Sequence, residues 1–303
     1  MRIMRNNMIY IGLLCLLTLS ISIIGASPDT AAKPDSALNL VAVLTDFGTS
    51  DFYVGAMEGS IYSANPLVRI STITNEVTAF DIAEGSYLLS KAARTYPPGT
   101  VFVVDVDPGS SREMRFIVLE TSNGKIFVGP DNGIMTGVIG EMGLAHAYQI
   151  TNQTLMGNNS SSTFRGAYVY GPVAGHLSSG KVEPGDAGPE ITDIKLLPMV
   201  SARLNGSEIS GAVIHVDKYG NMITNIPSDL VKEAGISKGQ ELNATVGNHT
   251  IAAKFVSAYS DVPLGDWLAL ISTNGELEIA RNMENAAKTI EASAGKAVTL
   301  NLG

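Results

Sequence analysis

Apolar positions fall into two kinds of pattern along this chain. Leu40-Val-Ala-Val-Leu44 is an unbroken apolar run of strand length, as expected of a strand buried on both faces. Val68 to Thr74 is β-branched and Thr100 to Val106 is again apolar, which predicts two more strands. Between them, Asp81 to Tyr96 places apolar or small residues at Ile82, Gly85, Leu89, Ala92, Ala93 and Tyr96, the spacing of a helix. Asp81 is its expected N-cap with Glu84 as capping-box partner, and Pro97-Pro98-Gly99 stops it. Phe116 to Leu119 and Lys125 to Val128 flank Ser122-Asn123-Gly124 as a hairpin. Strands alternating with helices predict an α/β domain over residues 39–200, a central and mostly parallel sheet with flanking helices.

Around Ser178 to Leu204 the helical spacing gives way to Gly, Pro and acidic residues. Beyond lie short β-type runs at Gly211 to Val216, Met222 to Ile226, Glu241 to Val246, Thr250 to Val256, Trp267 to Ile271 and Ala297 to Leu302. They predict a smaller, all-β, barrel-like domain over residues 201–303.

The N-terminus has a different pattern. Arg2 and Arg5 precede 19 uncharged residues from Met8 to Ala26, and Gly25-Ala26-Ser27 offers small residues for cleavage. Residues 1–26 therefore read as a signal peptide or as a membrane anchor through residues 8–26, since such a helix spans roughly 28 Å. A polar linker follows over residues 27–38, and the chain is expected to be exported, either secreted or anchored. Six Asn-x-Ser/Thr sequons, at Asn152, Asn158, Asn159, Asn205, Asn243 and Asn248, fit that reading.

Composition narrows the chemistry. Setting Arg2 and Arg5 aside leaves 18 basic against 29 acidic residues, so the body carries −11. That argues against a nonspecific nucleic-acid binder, which needs Lys and Arg against phosphates. The single cysteine, Cys15, lies in the leader, so disulfides and a Cys-based zinc site are excluded. The His residues show no paired ligand spacing, and no metal is expected.

In an open α/β sheet, ligands bind beyond the carboxyl ends of the strands. Two such ends carry an Asp in a Gly-containing turn: Asp46 in Thr-Asp-Phe-Gly and Asp107 in Asp-Pro-Gly-Ser. Either suits a ribose diol or a held water, and either alone is equally an ordinary turn cap. Asp105 and Asp107, two apart, share one face of a strand.

Thr45-Asp-Phe-Gly-Thr with Tyr53-Val-Gly, Phe80-Asp-Ile-Ala-Glu-Gly, Pro98-Gly-Thr-Val-Phe-Val, Val106-Asp-Pro-Gly, Gly129-Pro-Asp-Asn-Gly, Ser162-Thr-Phe-x-Gly, Gly171-Pro-Val-Ala and Tyr219-Gly-Asn221 occur in one order. Together they resemble the S-adenosylmethionine hydroxide adenosyltransferases, a family of S-adenosylmethionine hydrolases that also includes fluorinases and chlorinases. The resemblance implies a homotrimer with sites between subunits, no cofactor, and a nucleoside substrate displaced at the ribose C5′. Hydrolysis to adenosine and methionine is the leading expectation. A catalytically degenerate adenosine-binding homologue and a halide-using enzyme are the alternatives.

The resemblance implies that Asp46 binds the ribose, that Phe80 lies near the sugar, and that Asp107 orients the attacking water. Ser110 matches a halide-contacting Thr. Asp217 and Asn221 match positions that hold the methionine part and the adenine-ribose region, and Thr273 and Glu278 surround the substrate's far end. Two positions depart from the hydrolases, which pair their Asp with an Arg and a His. In ungapped register the Arg position holds Met114, and a one-residue slip restores Arg115. The His position holds Arg165, which is expected to approach Asp107 and keep it ionised without acting as a base.

Overall fold

The computed structural model describes residues 38–106, 114–157 and 163–301. The leader, nearly all of the linker, Asp107, Ser110, and the sequons at Asn158 and Asn159 lie outside the described residues.

The N-terminal half is a sheet built from β1 (Leu40–Thr45), β2 (Arg69–Thr74), β3 (Val101–Asp105), β4 (Phe116–Thr121), β5 (Ile126–Pro130) and β6 (Leu144–Gln149), in the order β2-β1-β3-β5-β4-β6. β2, β1, β3 and β5 run parallel, while β4 is antiparallel to both β5 and β6. The apolar run of β1 is continuous because both faces are covered. Val41 and Val43 pack with Met57 and Ile61 of α1 (Tyr53–Ala64), whereas Ala42 and Leu44 pack with Leu89 and Ala93 of α2 (Ile82–Ala93). α3 (Thr136–Met142) joins the α2 face, and α4 (Gly171–Ser178) joins the α1 face. Each fully buried Val, Leu or Ile contributes about 1.5–3 kcal/mol.

α2 begins at Asp81, whose Oδ1 accepts the Glu84 amide at 2.9 Å. Glu84 does not close the expected box. Its Oε2 accepts the Thr78 amide at 2.9 Å, while the Asp81 amide donates to the Thr78 carbonyl. The cap therefore also fixes the loop that carries Phe80.

The C-terminal half contains β7 (Arg203–Asn205), β8 (Glu208–Val216), β9 (Met222–Pro227), β10 (Glu241–Val246), β11 (His249–Phe255), β12 (Trp267–Ile271), β13 (Glu276–Arg281) and β14 (Ala297–Asn301). The order β14-β10-β11-β12-β13-β9-β8 returns on itself through a β14–β8 pairing, closing a barrel of seven strands with β7 as an outer edge. Its interior is a separate apolar cluster that includes Ile209, Met222, Leu242, Leu277 and Leu300.

Polar contacts join the halves. Lys91 on α2 bonds Glu276 on β13 at 2.6 Å and Glu141 on α3 at 2.7 Å, and Arg94 bonds Glu141 at 2.6 Å. Burial raises the Glu141 carboxyl pKa, but the two cationic donors bring it below its ordinary value. The rings of Tyr87 and His215 stack at 4.9 Å across the same junction.

Candidate functional site

β1 leads through α1 to β2 on one side, while β3 lies on the other, so the order of strands reverses between β1 and β3. A crevice at the carboxyl ends of those strands is the expected ligand position. A cleft of about 370 Å³ lies there, lined by Asp46, Phe47, Tyr53, Ala79, Phe80, Asp105, Thr163, Phe164 and Arg165.

Buried polar groups shape the loop after β1. Thr45 Oγ1 donates to Asn75 Oδ1 at 2.9 Å, and the Gly48 amide donates to the Asn75 carbonyl at 2.7 Å. This ties the ends of β1 and β2 together and leaves Asp46 and Phe47 at the cleft. Asp46 Oδ2 accepts the Phe80 amide at 2.8 Å. Phe80 has φ of 69°, a left-handed conformation that costs a bulky residue free energy, and the residue is 63 % exposed. The Asp46 contact and the Thr78–Glu84 bond together hold it there.

Asp105 ends β3, pairs in register with Thr45, and is 6 % exposed. The chain passes close to it at Gly166. A Cβ at Gly166 would lie 2.8 Å from Asp105 Oδ2 and 3.3 Å from Met57 Sδ, so the glycine permits the approach. Arg165 precedes that glycine and lines the cleft. Its guanidinium carbon lies 4.7 Å from the Phe116 ring centroid, and its buried Nε has no hydrogen-bond partner among the described residues.

Asp46, Phe80 and Arg165 are thus brought together, and Asp107 and Ser110 fall outside the described residues. Arg115 goes elsewhere. Its guanidinium bonds buried Asp131 at 2.6 Å and Asp193 at 2.7 Å, so it braces the strap around residue 193 and does not line the cleft. The Gly129-Pro-Asp-Asn-Gly motif is likewise structural: Asp131 holds Arg115 and the Lys195 amide, and Asn132 Nδ2 donates to the Val106 carbonyl at 2.8 Å.

The remaining residues lie on the barrel. Asp217 Oδ1 accepts the amides of Tyr219 and Asn221 at 2.9 Å, and its Oδ2 accepts Asn221 Nδ2 at 2.9 Å. Glu278 is 5 % exposed and accepts the Tyr259 hydroxyl at 2.6 Å. Burial pushes the Glu278 carboxyl above its ordinary range, and the nearby negative charge of Asp217 adds to the rise. Thr273 is exposed in the turn between β12 and β13. Asp105, Tyr53, Phe47 and Phe164 are cleft residues that the sequence reading did not select. Position at a strand end marks Asp105; the three rings stand inside the Thr45-Asp-Phe-Gly-Thr, Tyr53-Val-Gly and Ser162-Thr-Phe-x-Gly motifs, but these segments are distant in sequence and nothing local shows that the rings meet.

The N-terminal-domain model of the SAM hydroxide adenosyltransferases matches residues 41–188, and the C-terminal-domain model matches residues 211–299. The chain is 33 % identical over 264 residues to the (R)-S-adenosyl-L-methionine hydrolase of Methanocaldococcus jannaschii, covering 84 % of this chain and 93 % of that one. It is 26 % identical to a fluorinase of an Actinoplanes species, over 88 % of this chain and 99 % of that one. A crystal structure of an uncharacterized conserved protein from Thermotoga maritima superposes with a TM-score of 0.83 at 33 % identity, over 86 % of this chain and 99 % of that one.

Proposed function

Since the chain belongs to the SAM hydroxide adenosyltransferase family, we propose that it hydrolyses S-adenosylmethionine to adenosine and methionine. The observation that carries this reading is the meeting of Asp46, Asp105 and Arg165 in one cleft at the carboxyl ends of β1 and β3. Supporting it are the hydrolases among its relatives.

The chemistry is a displacement at carbon. The water oxygen bonds C5′ as the C5′–S bond breaks, the electron pair goes to sulfur, and the water proton is released to bulk solvent. A cationic sulfonium becomes a neutral thioether, so charge disappears along the path when the nucleophile is anionic. Bulk water opposes that loss; a shielded cleft that aligns oxygen, C5′ and sulfur lowers the barrier. Asp46 binds the ribose diol through its carboxylate. Asp107, two residues beyond β3, accepts a hydrogen from the attacking water. Arg165 stays protonated and supplies positive charge in the cleft it shares with Asp46 and Asp105; it cannot accept the water proton. Export by the leader and assembly as a homotrimer are part of the same proposal, the second tested by light scattering.

A second reading has its own observation. Arg115 is committed to Asp131 and Asp193, and Arg165 stands where the hydrolases have His. A homologue that binds adenosine without turnover would fit these changes. Halide use is disfavoured, since the Asp107 carboxylate repels an incoming anion.

Purified protein incubated with S-adenosylmethionine, with and without chloride, separates the readings. Hydrolysis predicts equal amounts of adenosine and methionine, independent of chloride. Adenosine binding without any product would leave the second reading standing.

A further inference from the structure

Four of the nine side chains lining the cleft are aromatic, and three of these touch one another. The ring centroids of Phe47 and Tyr53 are 5.8 Å apart, those of Phe47 and Phe164 5.7 Å, and those of Tyr53 and Phe164 5.1 Å. Phe52 packs against Tyr53 at 4.5 Å and extends the wall. These residues come from the loop after β1, the start of α1 and the segment before Gly166, so the fold assembles an aromatic corner from separate pieces. Tyr53 is 38 % exposed, which leaves ring surface for a ligand.

An aromatic face is electron-rich and attracts a cation within about 6 Å of its centroid. A sulfonium or quaternary ammonium, with diffuse charge and weak hydration, loses little on leaving water. The carboxylates of Asp46 and Asp105 line the same cleft and favour positive charge. Among the described residues lining it, Arg165 is the one cation, and its guanidinium lies over Phe116, a ring outside the lining.

We infer that this corner selects the charged sulfur of an S-adenosyl sulfonium over a neutral thioether, with Phe47 and Tyr53 as specificity-determining residues. The inference rests on the proposed reading that an S-adenosyl compound occupies the cleft, and it defines the ligand class as an organic onium cation. It also assigns the energetics. The charge fades on the way to the transition state, so the attraction belongs to ground-state binding. Removing a ring should raise KM and leave kcat unchanged or higher. The product methionine is neutral and loses the attraction, which favours its release.

Calorimetric titration of the full chain tests this with two unreactive probes: S-adenosylhomocysteine, and the aza analogue in which a protonated tertiary nitrogen replaces the sulfonium. The wild type should bind the cation about tenfold more tightly. Phe47→Leu and Tyr53→Leu should lose that preference while holding the thioether within about twofold of wild type; Tyr53→Phe should keep it. Equal wild-type affinities, or equal weakening of both probes in the Leu variants, would overturn the inference. The wild-type ratio needs no variant, so misfolding of a Leu substitution leaves the test intact. Failure to bind either probe would sink both this inference and the reading it rests on. Turnover of S-adenosylmethionine without charge preference sinks the inference alone; charge preference without turnover sinks the hydrolase reading alone.

Discussion

The cleft at the sheet edge and the polar face of the barrel both present carboxylates, but they hold them in different ways. On the barrel, Asp217 accepts three hydrogen bonds within its own turn, and Glu278 is buried against the Tyr259 hydroxyl. Hydrogen bonds within the barrel already occupy these two acids. In the cleft, Asp46 accepts the Phe80 amide and holds an exposed residue in a strained conformation, and Arg165 keeps a buried Nε unpartnered among the described residues. A strained residue and an unpartnered buried polar atom thus meet where chemistry is proposed, while Asp217 and Glu278 have the satisfied bonding of a preformed support.

That contrast can be broken most forcefully at Asp46. Asp46→Ala should lower kcat/KM by about a hundredfold through lost ribose alignment, with little change in thermal stability, since the residue is not in the core. Activity near wild type would place the ribose elsewhere. Gly166→Ala is the next largest. The added methyl meets Asp105 and Met57, so unfolding titrations should show a loss of about 1–3 kcal/mol, and turnover should fall as Asp105 and Arg165 shift. On the barrel the order of effects should reverse. Tyr259→Phe removes the donor to buried Glu278 and should destabilise by about 1–3 kcal/mol, with a smaller change in kcat.

The smallest effect is a pair of opposed pH slopes. The Glu278 carboxyl is raised by burial, so the stability it contributes is present below about pH 4.5 and declines as pH rises through its folded value. His215 is lowered by burial, despite the opposing charges of Glu84, Asp217 and Asp81. Its contribution is present above about pH 6.5 and is lost as pH falls through its folded value. Melting temperatures should therefore lose part of their acid-side slope in His215→Gln and part of their upward-pH slope in Glu278→Gln. Unchanged profiles would mean that neither group is held as the structure has it.

The same two regions differ in how much of them could be read from sequence. β1 and β3 were legible because burial on both faces makes them continuously apolar, and Asp46 follows from its place after such a run. Asp81 was legible as a cap, but the partner of Glu84 was not, because the loop's approach decides it. α1 was missed: only Met57 and Ile61 are buried in it, and Gly55 and Gly59 thin its apolar stripe. β13 was missed for a related reason. Leu277, Glu278, Ile279 and Ala280 are all buried, so a charged residue interrupts a run that the barrel nonetheless encloses. Arg115 follows the same lesson, since Asp193 reaches it across 78 residues of sequence.

The central claim is that water attacks the ribose C5′ of S-adenosylmethionine in this cleft, and isotope transfer tests it most directly. Turnover in ¹⁸O-enriched water, followed by mass spectrometry of the nucleoside, should give adenosine carrying the heavy oxygen at its 5′ position, in step with methionine. A nucleoside without that label, or no nucleoside at all from protein that binds adenosine, would contradict the account.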